Sequence, residues 1–109
     1  MGAHAMRVAA IDCGTNSIRL LIAEVGDGSL LDLDRRMEIV RLGEGVDRTG
    51  RFSDAALART FAACDQYAQA IALAGAERVR FVATSASRDV ANRAAFVAGV
   101  VERLGVEPD

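Results

Sequence analysis

The sequence predicts an α/β domain built on one mixed sheet, with elements in the order strand, strand, strand, helix, strand, helix. Three observations carry this. Short β-rich runs follow one another between residues 7 and 42, separated by tight turns, the pattern of an antiparallel meander. Apolar residues then recur at spacings of four and three from Leu57 to Ile71, the signature of an amphipathic helix. A further apolar run at 79–84 follows that helix. A helical crossover returns such a strand to the same sheet, and beside the first strand it would run parallel to it.

Residues 7–12 (RVAAID) read as a buried strand, followed by a tight turn over Cys13-Gly14-Thr15-Asn16. Residues 17–25 (SIRLLIAEV) read as the second strand, with Ile18, Leu20 and Ile22 on one face. Gly26 to Gly28 turn the chain again. Residues 30–42 alternate imperfectly through Leu31, Leu33, Val40 and Leu42 and read as the third. Gly43 to Phe52, with three glycines, reads as a loop. Ser53 is a suitable N-cap and Asp54 an acidic first-turn residue for the helix that follows. That helix carries Leu57, Phe61, Cys64, Ala68 and Ile71 and ends near Gly75. The second helix is expected over Asn92 to Leu104, with Val97, Val101 and Leu104 inward and Gly105 closing it. Gly99 weakens it by about 1 kcal/mol relative to alanine. A further strand is expected where the chain stops, at Pro108 and Asp109.

Composition bounds the chemistry. The 109 residues make one domain, 51% hydrophobic and 26% charged, a globular balance. No apolar run approaches the roughly 18 residues of a membrane span. A net charge of −2 offers no basic field for nucleic acid. All 13 basic residues are arginine, which excludes a phosphate-loop lysine or a Schiff-base lysine in this chain. The one histidine, His4, lies in Met1 to Ala5, which read as an expression leader ahead of a natural start at Met6. The domain is therefore taken as residues 6–109, without histidine chemistry. Cys13 and Cys64 read as reduced, buried packing residues of a cytoplasmic protein.

Ligands of open α/β sheets gather at the carboxyl ends of parallel strands. Two polar clusters fall at such ends. The first is Asp12-Cys13-Gly14-Thr15-Asn16-Ser17 after strand one. Gly14 lets backbone approach an anion, and the turn can aim several N–H groups at phosphate oxygens. Thr15, Asn16 and Ser17 add side-chain donors, and Arg19 a charged fork. Asp12 is the candidate Mg²⁺ ligand, acting through water. The second cluster is Thr84-Ser85-Ala86-Ser87-Arg88 after strand four, with Thr84, Ser85 and Arg88 as its candidate phosphate contacts. A polar hairpin tip and a capped helix start account for either cluster alone, but a parallel pairing would bring both to one edge. Glu44 and Asp47 read as plain loop.

The stretch from Asp12 to Leu20 resembles the first phosphate motif of the actin-like, sugar-kinase and Hsp70-like superfamily. More narrowly, Ala10 to Leu21 (AIDCGTNSIRLL), Val40 to Gly45 (VRLGEG) and Phe81 to Asn92 (FVATSASRDVAN) resemble the start of the exopolyphosphatase and guanosine pentaphosphate phosphohydrolase family. The likeness runs from about Met6 to the end. It implies a truncated ribonuclease-H-like, actin-like ATPase half-domain. It also implies Mg²⁺-dependent removal of terminal phosphate from inorganic polyphosphate or guanosine pentaphosphate. Gly14 to Ser17 and Arg19 would line the phosphate path, Asp12 would lie near the metal, and Thr84, Ser85 and Arg88 would form the second wall.

In that family a glutamate activates the attacking water. It lies in a Ser-Gly-x-Glu-Glu-Ala-Arg-like segment that this chain lacks, as it lacks the later Asp-x-Gly-Gly-Gly-Ser motif. Glu102 and Glu107 do not replace it. The chain is therefore expected to be an N-terminal fragment, inactive alone, with no catalytic residue of its own. An open sheet edge and an uncovered apolar face should favour self-association of the fragment, and the parent is expected to be a homodimer. Two other readings stay open: part of a sugar- or acetate-kinase-like phosphotransferase, and a non-catalytic polyphosphate- or alarmone-binding module. The absence of tryptophan weighs against the kinase.

Overall fold

The computed structural model describes residues 5–84 and 87–109. Strands β1 (Met6–Cys13), β2 (Ser17–Gly26) and β3 (Ser29–Ile39) form the expected meander. A one-turn helix α1 (Val46–Thr49) and the long helix α2 (Asp54–Ala74) lead to β4 (Arg78–Ala83), and α3 (Arg93–Leu104) follows. The sheet order is β3-β2-β1-β4. β1 is antiparallel to β2 and parallel to β4, with Cys13 beside Ala83. The carboxyl ends of the two parallel strands therefore share one edge.

The hairpin between β2 and β3 turns through Asp27 and Gly28, both with positive φ (43° and 74°). That geometry matches the right-handed twist of the strands it joins. The imperfect alternation of the third strand has a structural cause. Ile22 pairs with Asp34 but Ala23 pairs with Asp32, so Leu33 is left over in a bulge. The strand also ends three residues earlier than expected. Val40 and Leu42 leave the sheet and bury in the core.

Both long helices lie on one face. Ile11 and Cys13 of β1, Ile18, Leu20 and Ile22 of β2, and Phe81 of β4 meet them there. Ser53 caps α2 by accepting the Ala56 amide at 3.0 Å. The buried stripe of α2 is rotated from the one read in the sequence. Ala56, Leu57, Thr60, Ala63, Cys64, Tyr67, Ala70 and Ile71 are buried, while Phe61 and Ala68 are only half-buried. Phe61 turns toward α3, where Gly99 lies against its ring so closely that a Cβ would overlap it. Gly99 thus has a packing role, which explains a residue unfavourable to the helix. α3 buries Phe96, Gly99 and Val100, with Val97 and Leu104 partly buried against the core as expected; Val101 is exposed instead. Phe96 joins Phe52 and Phe81, ring centroids 5.5 and 6.1 Å away.

Asn92 precedes α3 but its side chain makes no cap. It clasps the backbone of Phe52 instead, accepting from the amide and donating to the carbonyl, each at 2.9 Å. At the far edge, Pro108 bridges Phe81 in parallel, and the Asp109 amide donates to the Phe81 carbonyl at 2.8 Å. The chain's last residues therefore lie where the sequence places a further strand. The opposite face of the sheet, through Ala10, Asp12, Arg19, Met37 and Val82, carries no described element and is exposed. No helix among the described residues is long and apolar enough to cross a membrane.

Candidate phosphate-binding site

The turn joining β1 to β2 is closed by the Gly14 amide, which donates to the Ser17 carbonyl at 2.9 Å. Gly14 therefore spends its N–H within the turn and contributes space rather than a donor. The next two carbonyls are tied back by the segment after β3. The Asn16 carbonyl accepts from the amides of Val40 (3.0 Å) and Arg41 (2.9 Å), and the Thr15 carbonyl accepts from Gly43 (2.9 Å). The amides of Thr15 and Asn16 donate to no described residue, and both residues are exposed. Carbonyl oxygens repel an anion and amide hydrogens attract one. Among the described residues the loop has its oxygens occupied and two of its hydrogens unused, the arrangement of an anion nest.

The second cluster meets the first through the Thr84 amide, which donates to the Cys13 carbonyl at 3.0 Å. Gly14 and Thr84 are adjacent: a Cβ on Gly14 would lie 3.9 Å from the Thr84 Cγ2. Gly14, Thr15 and Thr84 line one small pocket of about 120 Å³ with Gly43, Asp47 and Ser87. Ser87, buried, donates from its amide (3.2 Å) and hydroxyl (2.9 Å) to the Thr84 carbonyl and fixes this second wall. Arg88 is exposed beyond it. Ser85 lies outside the described residues.

Asp12 and Arg19 stand apart from that pocket. Being one strand step from Cys13 and Ile18, both project to the uncovered face, where they are direct cross-strand partners. They line a shallow depression there with Arg35, Arg36 and Met37. The sequence placed all candidate residues on one edge; the structure puts Gly14, Thr15 and Thr84 in the pocket at that edge and Asp12 and Arg19 on the adjoining face.

Asp12 is a single exposed carboxylate, and among the described residues no three His, Cys, Asp or Glu side chains lie together. Mg²⁺ commonly takes one or two carboxylates and completes its shell with water and substrate phosphate. Asp12 fits that limited role and no larger one.

Gly43 and Asp47, set aside as loop residues in the sequence, belong to the pocket. The VRLGEG segment contained the signal: its glycine at 43 permits a contact with Thr15 that a side chain would block. Cys13 also lines the pocket, but neither thiol is in a reactive state. Burial pushes Cys13 up to about 12, with Cys64 and Asp12 adding to the rise, and burial pushes Cys64 up to about 11 against the pull of Arg103. Both are free, buried and un-ionised at neutral pH.

A four-stranded mixed sheet backed by two helices, with a glycine-containing turn and a second polar wall at the ends of its parallel strands, defines an actin-like half-domain. The chain belongs to the Ppx/GppA phosphatase family, whose model matches residues 21–108. It is 59% identical over 103 residues to exopolyphosphatase 2 of Mycobacterium tuberculosis, covering 91% of this chain and 32% of that protein. Among solved structures it is similar to an exopolyphosphatase-like protein (TM-score 0.90, 45% identity, covering 96% of this chain and 32% of that one). It is also similar to the Aquifex aeolicus member of the Ppx/GppA family (TM-score 0.91, 36% identity, 97% and 35%). The chain spans about a third of the length of these relatives.

Proposed function

We propose that this chain is the first phosphate-binding wall of an exopolyphosphatase-family hydrolase that releases terminal phosphate from inorganic polyphosphate or, as the alternative substrate, from guanosine pentaphosphate. The observation that carries this reading is the polarity of the β1–β2 turn. Its Thr15 and Asn16 carbonyls are held back by Val40, Arg41 and Gly43, and its Thr15 and Asn16 amides are left for phosphate oxygens. Thr84 and Arg88 add a hydroxyl and a cation from the second wall, and Arg19 adds a cation from the sheet face. Asp12 would hold Mg²⁺ through water, and the ion supplies neutralisation of phosphate charge.

Asp47 is the one carboxylate among the described residues lining the pocket, and the glutamates are held elsewhere. Glu44 is drawn to Arg59 at 3.2 Å, and Glu102 sits on α3 beside Arg103 at 3.9 Å. The chain alone is therefore proposed to bind phosphate without hydrolysing it, in a cytoplasmic setting that keeps both thiols reduced. Leu30, Leu31, Met37 and Ile39 are exposed along edge strand β3, so self-association of the isolated chain is part of the proposal. A homodimer is proposed for the protein that contains it.

The test is orthophosphate release from polyphosphate and from guanosine pentaphosphate with Mg²⁺. A protein that continues through the remaining two-thirds of the family's length is expected to release it, and the 109-residue chain is not. Release by the short chain that disappears in Asp12→Ala would contradict the division of labour proposed.

A further inference from the structure

Arg41 has a backbone conformation that its side chain does not favour. Its φ is 51°, in the left-handed region, where a non-glycine residue costs about 1 kcal/mol or more. The surrounding structure enforces it. Val40 and Leu42 on either side are buried, its amide donates to Asn16 at 2.9 Å, and its carbonyl accepts from the Glu44 amide at 3.1 Å. Arg59 reaches from α2 to the same segment, donating to the Val40 carbonyl at 2.8 Å and to the Arg41 carbonyl at 3.3 Å. Arg41 itself is exposed and, like Arg19, Arg48, Arg51, Arg78, Arg88 and Arg93, makes no ion pair with a described residue. The chain thus fixes an arginine with no described ion-pair partner against Asn16, whose amide donates to no described residue.

We infer that Arg41 is a further phosphate-binding residue of this site, supplying a guanidinium beside the free amides of Thr15 and Asn16, with Arg59 as the residue that positions it. The inference rests on the phosphate-site reading above. It adds a cation from a segment outside both polar clusters. A planar fork suits phosphate oxygens, and a cation fixed by its backbone loses less freedom on binding than one on a loose loop.

The experiment is calorimetric titration of inorganic tripolyphosphate into the 109-residue chain, paired with a thermal melt. Arg41→Gly removes the guanidinium and the left-handed strain together. The expected result is a melting temperature no lower than wild type and an affinity about tenfold weaker, the scale of one lost charge-assisted hydrogen bond. A purely structural residue would not combine undiminished stability with lost binding. Should Arg41→Gly lower the melting temperature, Arg41→Gln decides, because it keeps the backbone strain and removes only the charge. Its affinity should fall by a similar factor. Affinity within about twofold of wild type in the deciding variant overturns the assignment of Arg41 and leaves the site reading in place. A wild-type chain that binds no tripolyphosphate brings down the site reading, and Arg41 with it.

Discussion

The amide of Gly43 donates to the carbonyl of Thr15 at 2.9 Å, and a Cβ on Gly43 would overlap the Thr15 Cγ2. Gly43→Ala should therefore drive the exposed Thr15 side chain out of its present rotamer and strain the Gly43–Thr15 hydrogen bond. The expected cost is about 1 to 3 kcal/mol of unfolding free energy, the range for forcing extra volume into a packed contact. Tripolyphosphate affinity should fall with it, because the Thr15 carbonyl would no longer be held back. Urea melts and the same titration check both effects.

Tyr67 supports the start of β2 from below. Its hydroxyl, buried, donates to the Ile18 carbonyl at 2.8 Å, one residue after the β1–β2 turn. Tyr67→Phe leaves that carbonyl without this partner, and a loss of about 1 to 2 kcal/mol is expected in denaturant unfolding. The fold should be retained, because the ring remains in the core.

The buried titratable groups fix how stability depends on alkaline pH. Burial pushes Cys13 and Cys64 from 9.0 up to about 12 and about 11, and burial with the nearby Glu38 charge pushes Tyr67 from 10.0 up to about 12. Each is neutral when protonated, and each has a folded value above its unfolded one. Their contribution is thus fully present below about pH 9. It falls as pH rises through the folded values, because the unfolded chain releases its protons first. Unfolding free energy should be flat from these groups between pH 7 and 9 and decline from 9 toward 12. At pH 8 a disulfide dye should label neither thiol in the native chain and both in denaturant. Rapid native labelling of either would contradict their burial.

The fold was legible in the sequence where local chemistry decided it. Ser53 marks the start of α2, Gly75 and Gly105 end helices, and the Ile18-Leu20-Ile22 face is buried as its alternation implies. The parallel pairing of β1 with β4 followed from the crossover between them. Tertiary contacts were less legible. Phe61 and Gly99 form a close helix contact, which rotates both helices relative to the stripes read from apolar spacing. Leu33 sits in a bulge that the imperfect alternation of the third strand hinted at without locating. The Gly14 turn was readable as a phosphate motif, but the hydrogen bonds that consume its Gly14 amide and its Thr15 and Asn16 carbonyls come from distant residues. For the same reason Gly43 and Asp47 read as ordinary loop and Arg41 as part of the third strand. Gly43 and Arg41 are placed by backbone contacts across more than 20 residues of chain.

The central claim is that phosphate sits on the β1–β2 turn. The most direct measurement is a map of backbone amide chemical shifts during titration of inorganic tripolyphosphate into the chain. The largest shifts are expected at Thr15 and Asn16, with smaller ones at Thr84, Arg88 and Arg41 and none along the hairpin tip at Asp27 and Gly28. Shifts confined to surface arginines such as Arg78 and Arg93, with Thr15 and Asn16 unmoved at saturation, would contradict it.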